Sequence, residues 1–331
     1  MLGPRFKSSR GGFGSESEII LSPISSIVLE SVVAPSATYV LYFSLVELKD
    51  HNLLKVLLGI VHNDETVIPA REVVSRLGTV LPNIEHFEVS DQVLDSSINF
   101  YSLTRHALAE YRIERRWRSY RHCGSFSNDI TSATTKILKV IKLFFSKDSR
   151  TKASGVWQIE KAVTKKHLKA WEQFRNSPFD FLLLMEADAS WSDPQSAILA
   201  RTIECISNEN PTYLSISGGL NMGALCIDEL IKKRENFGGQ EVLTFYKPVT
   251  NTSCAYIINR PLVDLLLDAA SEPSNETWRQ LSIDWYINSL FIHISGQVGG
   301  IISKLFNPPL IIHGSISGDF TSWHPDRRKV F

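Results

Sequence analysis

Glu186 and Asp188 are the residues of this sequence best placed to do chemistry. They flank the small residue Ala187 at the end of the segment Phe179-Asp180-Phe181-Leu182-Leu183-Leu184-Met185, which is too short for a helix and reads as a buried central strand. Residues two apart on an extended segment point the same way, so both carboxylates can face one hard divalent cation, while Ala187 points elsewhere. A cation held there can bridge two phosphates and offset the charge that builds on a departing diphosphate, an effect on the order of several kcal/mol. Taken alone, an acid-x-acid triplet is also the ordinary solvated end of a strand.

Other residues gather chemical meaning from position. His313 follows the strand-like Leu310-Ile311-Ile312 and can complete a metal shell beside the two carboxylates. Asp284 falls in the first turn of a helix, where the dipole favours an ionised carboxylate. It reads either as a general base that takes a proton from an attacking hydroxyl or as a helix-capping acid. Gly218 and Gly219 close a strand at Ser217 and can admit a ligand close to the backbone, although two glycines also make an ordinary turn. Asn63 belongs to the polar cluster His62-Asn63-Asp64-Glu65, placed where the first strand of an α/β domain meets a ligand, so a nucleotide is expected nearby. His167 faces inward on its helix and either packs that helix on the sheet or reaches the site. Trp191 and Trp323 either stack on a sugar or cover the core.

These residues need elements to carry them. Strands are predicted at 37–46, 53–61, 86–89, 179–185, 213–217, 242–246 and 253–258, with helices at 70–78, 101–120, 134–145, 157–175, 261–270 and 283–293. Pro261 suits a first helical turn and Ser282 a helix cap. In the helix over 157–175, Ile159, Val163, His167, Ala170, Trp171 and Phe174 fall on one face. The alternation predicts an α/β fold, a Rossmann-type layered sheet that is mostly parallel with helices on both faces. Residues 1–17, rich in Gly, Ser and Arg, read as a flexible tail before a single domain over 18–331. Gly314 to Pro325 reads as a lid or a plain loop.

Composition narrows the function classes. With 35 basic and 35 acidic residues, net charge gives no reason to expect a nucleic acid partner. Locally the balance differs: residues 101–170 hold 16 Lys and Arg against 5 acids, and they include a basic helical segment over 101–150. That segment reads as a solvated face, or as a contact for an anionic lipid or acceptor phosphate at the membrane surface. Four cysteines without paired spacing fit a reducing, cytoplasmic compartment. No secretory leader is apparent, and the longest uncharged run, 31–46, contains Pro35 and is shorter than the roughly 20 residues of a span.

The order of several short motifs resembles glycosyltransferase family 25, which includes lipopolysaccharide-biosynthesis and procollagen galactosyltransferases. The motifs are Lys166-His167-Leu168-Lys169-Ala170-Trp171, then 181–188, Cys254-Ala255-Tyr256-Ile257-Ile258-Asn259-Arg260, Ile283-Asp284-Trp285 and Asn307-Pro308-Pro309-Leu310. They span roughly residues 155–315. The resemblance implies a GT-A fold, a UDP-galactose donor, manganese or magnesium held by Glu186 and Asp188, inversion at the sugar carbon, and a glycan or lipid-linked acceptor in surface polysaccharide or glycoconjugate synthesis. It places the general base at Asp284. The chain departs from the family at Lys166, where Ser is usual, and at Ala187, where the family has a middle acid that can touch the nucleotide ribose. Two other readings share the acidic site: a sugar nucleotidyltransferase, which normally carries a Gly-rich phosphate loop after its first strand, and an inactive relative that binds glycan or protein.

Overall fold

The computed structural model describes residues 55–62, 67–82, 84–90, 100–121, 134–209 apart from positions 136, 139 and 144, 211–218, 227–237, 239–296 and 299–314. All of them lie in one compact unit, Asp50–Phe331; the other, Met1–Lys49, falls outside the described residues, as do the tail and the strand expected at 37–46.

The architecture is mixed α/β around an eight-stranded sheet. In chain order the strands are β1 (Val56–His62), β2 (Glu85–Ser90), β3 (Phe181–Glu186), β5 (Tyr213–Ser215), β7 (Ile231–Phe237), β8 (Gln240–Phe245), β9 (Ala255–Asn259) and β10 (Ser303–Phe306), with β4 (Ala189–Ser190), β6 (Ser217–Gly218) and β11 (Ile311–His313) forming a small second sheet. The large sheet runs β2-β1-β3-β9-β5-β10-β8-β7. Strands β1, β2, β3, β5, β7 and β10 point one way, and β8 and β9 run against them. The sheet is thus mostly parallel, as its sequence pattern predicts.

Both faces are covered, which explains why β1 and β3 are apolar at consecutive positions. Leu182 and Leu184 of β3 enter a core with Ala170, Trp171 and Phe174 of α3 (Lys147–Arg175), α5 (Arg260–Ser271) and α6 (Ile283–Ile294). Phe181, Leu183 and Met185 enter the opposite core with Ala70, Val73 and Leu77 of α1 (Val67–Val80) and Leu199 and Ile206 of α4 (Asp193–Glu209). A further helix, α2 (Phe100–Arg121), sends Ala109 and Ile113 into the first core, and the described residues between 134 and 145 are helical, as their sequence pattern predicts. Asn259 caps α5 by accepting from the Leu262 amide, and Pro261 lies in its first turn as predicted. Ser282 precedes α6, but its side chain makes no capping bond; its carbonyl instead accepts from Tyr286 N at 2.9 Å.

Three elements differ from their sequence reading. Helix α3 begins at Lys147, where Ser146 caps the Ser149 amide, ahead of the apolar stripe that starts at 157. Strand β7, Ile-Lys-Lys-Arg-Glu-Asn-Phe, has too many charges to read as a strand, yet it is the outermost strand next to β8, where charge protects an edge from further pairing. Strand β9 runs antiparallel to β3 rather than parallel, with Met185 opposite Ala255. That reversal places the segment before β9, not the one after it, at the carboxyl end of β3.

Candidate metal and substrate site

Glu186 ends β3, and two short pairings fix what surrounds it. β11 pairs antiparallel with β4, matching His313 to Ala189, and Gly314 N donates to Asp188 O at 2.7 Å. His313 is thereby carried across more than a hundred residues of sequence to the acidic pair. Its Nδ1 is 3.3 Å from Asp188 Oδ2 and its Nε2 is 3.6 Å from Glu186 Oε2. One ligand atom from each of Glu186, Asp188 and His313 lies within 4.8 Å of the others. Two carboxylates and one imidazole, converging from the end of a buried strand, form a donor set suited to a hard or borderline divalent cation, with coordination positions left for other ligands. The residues fit the metal the sequence suggests. Ala187, between the two acids, is buried and packs into the α1/α4 core.

Two basic side chains, His167 and Lys166, lie behind the pair. His167 Nε2 lies 3.4 Å from Glu186 Oε1, and its Nδ1 meets the Tyr256 hydroxyl at 3.0 Å. That hydroxyl also accepts from Trp171 Nε1 at 2.9 Å, so His167 both packs its helix on the sheet and reaches the site. Lys166 is only 2% exposed, and its Nζ donates to the His62 carbonyl at the end of β1. Burial disfavours ionisation of Glu186, but the contact with His167 and the charges of His313, His167 and Lys166 outweigh it and hold this carboxyl at about 2, against an ordinary 4.5.

The segment before β9 forms the other side. Glu186 N donates to Cys254 O at 2.8 Å. Asn288 of α6 clamps Thr250, accepting from its amide and donating to its carbonyl, both at 3.0 Å. The Ser217 hydroxyl bonds Thr252 O at 3.2 Å and Ala255 O at 2.9 Å. Asp284 Oδ1 accepts from the Ser253 amide at 2.7 Å and from the Ser253 hydroxyl. Asp284 is therefore held by the loop rather than spent on capping its own helix. A cavity of about 280 Å³ joins Glu186, His313, Asp284, Asn251 and Asn288. Asn251 and Asn275, the asparagines of the chain's two Asn-x-Ser/Thr triplets in which x is not proline, are buried at 6% and 2% exposure, which removes them as surface acceptors for a glycan.

The structure thus brings Glu186, Asp188, His313 and Asp284 together. Gly218 stands beside them in β6, paired with Ile312, and its missing Cβ makes room for Pro309: an added Cβ would lie 2.7 Å from Pro309 Cγ. Asn63, Gly219 and Trp323 lie outside the described residues. Trp191 covers the core: it is 7% exposed, bonded to Ser196 Oγ, with the Arg76 guanidinium 4.4 Å from its ring centre. Sequence reading missed the loop-holding roles of Ser253 and Asn288. It also missed the wall that α2 and α3 add to the cavity: His106, Glu110, Trp117 and Glu160. The first two stand one helical turn apart, with Trp117 seven residues beyond Glu110, a spacing that marks one face of a helix. Among the described residues, no helix is long and apolar enough to cross a membrane.

No protein-family model matches the sequence, and no curated protein matches it. Among solved structures the chain is similar to a glycosyltransferase involved in the glycosylation of the major capsid of PBCV-1, at 9% identity over 78% of this chain and 92% of that one, with a TM-score of 0.34. The functional reading rests on the geometry of the site itself.

Proposed function

We propose that the chain is a metal-dependent glycosyltransferase that passes a hexose from a nucleotide diphosphate sugar to a hydroxyl of a glycan or lipid-linked acceptor. The observation that carries this reading is the convergence of Glu186, Asp188 and His313 at the rim of a cavity that also holds Asp284. A divalent cation bound there supplies charge to offset the leaving diphosphate; manganese suits a mixed carboxylate and imidazole set better than magnesium, which prefers oxygen alone. Lys166, buried at the ends of β1 and β3, adds fixed positive charge on the same side. Asp284 is the general base of this reading: Ser253 anchors its Oδ1 beside the cavity, and the carboxylate so oriented would take the acceptor proton as the sugar carbon is attacked. UDP-galactose is the donor to try first, by the motif resemblance, with inversion as the expected outcome.

The test is calorimetry of UDP with and without manganese, paired with UDP release from a panel of sugar nucleotides in the presence of glycan acceptors. Metal-dependent UDP binding should vanish in Glu186→Ala and Asp188→Ala. Binding unchanged in both variants would overturn the reading. Release of pyrophosphate from a nucleoside triphosphate and a sugar phosphate would reassign the site to a nucleotidyltransferase, and binding without turnover would reassign the chain to a glycan-binding role.

A further inference from the structure

Behind Glu186 lies a relay of buried polar groups that packing does not require. Trp171, His167 and Tyr256 each have 0% exposure, so a ligand in the cavity does not touch them. Phenylalanine would fill the core at 256 as well as tyrosine does, and polar groups enclosed beside apolar side chains cost free energy unless they satisfy one another. Their positions in the fold bring them together. His167 and Trp171 stand four residues apart and share one face of α3. Tyr256 of β9 pairs with Leu184 of β3, and Glu186, two residues beyond Leu184, points to the same side of the sheet.

The direction of each hydrogen bond in the relay follows from the donors present. An indole nitrogen only donates, so the Tyr256 oxygen accepts from Trp171 Nε1 at 2.9 Å. Burial pushes the Tyr256 hydroxyl well above its ordinary 10, which keeps its hydrogen in place. His167 Nδ1, at 3.0 Å, is the partner among the described residues that can receive that hydrogen. Were Nδ1 the donor instead, the phenol hydrogen would be enclosed without an acceptor, a costly arrangement. The imidazole hydrogen therefore resides on Nε2. Nε2 is itself buried with no close hydrogen bond, and the acceptor beside it is Glu186 Oε1 at 3.4 Å. The other oxygen, Oε2, lies on the side of His313, 3.6 Å from its Nε2.

We propose that Tyr256 is a positioning residue of the metal site: its hydroxyl holds the His167 imidazole so that the Nε2 hydrogen serves Glu186 Oε1, and the carboxylate so held keeps Oε2 for the cation shared with Asp188 and His313. Tyr256 acts through His167, as outer groups orient the ligands of metal sites generally. Trp171 sets the direction of the relay by donating to the phenol oxygen, which leaves the phenol hydrogen for His167. The proposal rests on the metal-dependent reading for the cation, and on the hydrogen bonds alone for the orientation of the imidazole.

Two measurements on the full chain test it. In the metal-free protein at pH 7, nitrogen-15 NMR of labelled histidine, with His167 assigned by its contacts to the Trp171 and Tyr256 rings, should show hydrogen on Nε2 and none on Nδ1. Tyr256→Phe should release this preference and shift both nitrogens. Hydrogen on Nδ1 of the wild type overturns the proposal. Manganese titration followed by electron paramagnetic resonance should show affinity about tenfold weaker in Tyr256→Phe. The same substitution should cause no further loss in a His167→Leu background, where there is no imidazole to hold. Equal losses with and without His167 would mark a general loosening of the core and overturn the proposal, as would an unchanged affinity. If His167→Leu fails to fold, the wild-type nitrogen assignment and the Tyr256→Phe titration carry the decision. Absence of manganese binding by the wild type would instead defeat the metal reading, and the cation's part with it, while the nitrogen assignment would still decide whether Tyr256 orients the imidazole.

Discussion

Replacing Glu186 by Gln removes a carboxylate whose ionised form the folded protein strongly favours. Burial opposes the charge, yet His167 at 3.4 Å, His313 at 3.6 Å and Lys166 bring the carboxyl from 4.5 down to about 2. A depressed folded-state value means stability that is fully present above the unfolded value and lost as pH falls toward the folded one. A shift from 4.5 to about 2 corresponds to at most about 3 kcal/mol above pH 5, falling to about 2 kcal/mol at pH 3.5 and about 1.4 kcal/mol at pH 3. Metal-free urea denaturation of wild type and Glu186→Gln at pH 7, 5, 3.5 and 3 measures this directly. The gap between the two proteins should be constant from pH 7 to 5 and narrow by about a third at pH 3.5. A gap independent of pH down to 3, or one that widens, would refute the charge cluster as the cause. A gap that begins to close near pH 6 would assign the effect to a different group.

Two further substitutions probe how the site is framed. Ala187→Asp places a carboxylate among the α1/α4 core residues, where the site has only 4% exposure; an upward shift of 3–5 units would cost about 4 kcal/mol at pH 7, the limit set by protonating an acid whose unfolded value is near 3.9, a fall in Tm of roughly 10 °C by calorimetry. A stable variant with tighter UDP binding would show instead that position 187 faces the nucleotide. Gly218→Ala forces a Cβ to within 2.8 Å of Pro309 Cβ as well as 2.7 Å of its Cγ, and the rigid ring should shift at a cost of about 1–3 kcal/mol. Because Pro309 leads into the strand that carries His313, manganese affinity should fall together with urea stability, and a loss of neither would remove the coupling between β6 and the metal ligands.

The candidate metal ligands were legible for a reason that does not extend to the rest of the site. Glu186 and Asp188 follow a run of apolar residues that only a doubly covered strand accommodates, so their place at a strand end follows from local pattern. His313 was legible as a histidine after a short strand, but its approach depends on the pairing of β11 with β4, between segments 120 residues apart, and pairing of that kind leaves no periodic trace. The direction of β9 is hidden in the same way: five buried residues in succession look alike whether a strand runs up or down. Only the pairing of Met185 with Ala255 brings Cys254 and Ser253 to Glu186. The acid at 284 was readable at the start of its helix, whereas its engagement with Ser253 required knowing that reversal.

The charge of α2 could not be divided between its faces from a count alone, for a different physical reason. Counting 16 basic against 5 acidic residues over 101–170 averages around the helix axis, and a helix averaged around its axis has no faces. Taken at steps of three and four, His106, Glu110, Ile113 and Trp117 form one stripe that is acidic, apolar and aromatic, while Arg112, Arg115 and Arg116 are exposed. The few charges that enter a cavity act at low dielectric and short range, whereas the many on the outside are screened over about 10 Å of salt solution. What α2 presents to the cavity is therefore read from His106, Glu110 and Trp117 on its inner stripe rather than from the arginines outside.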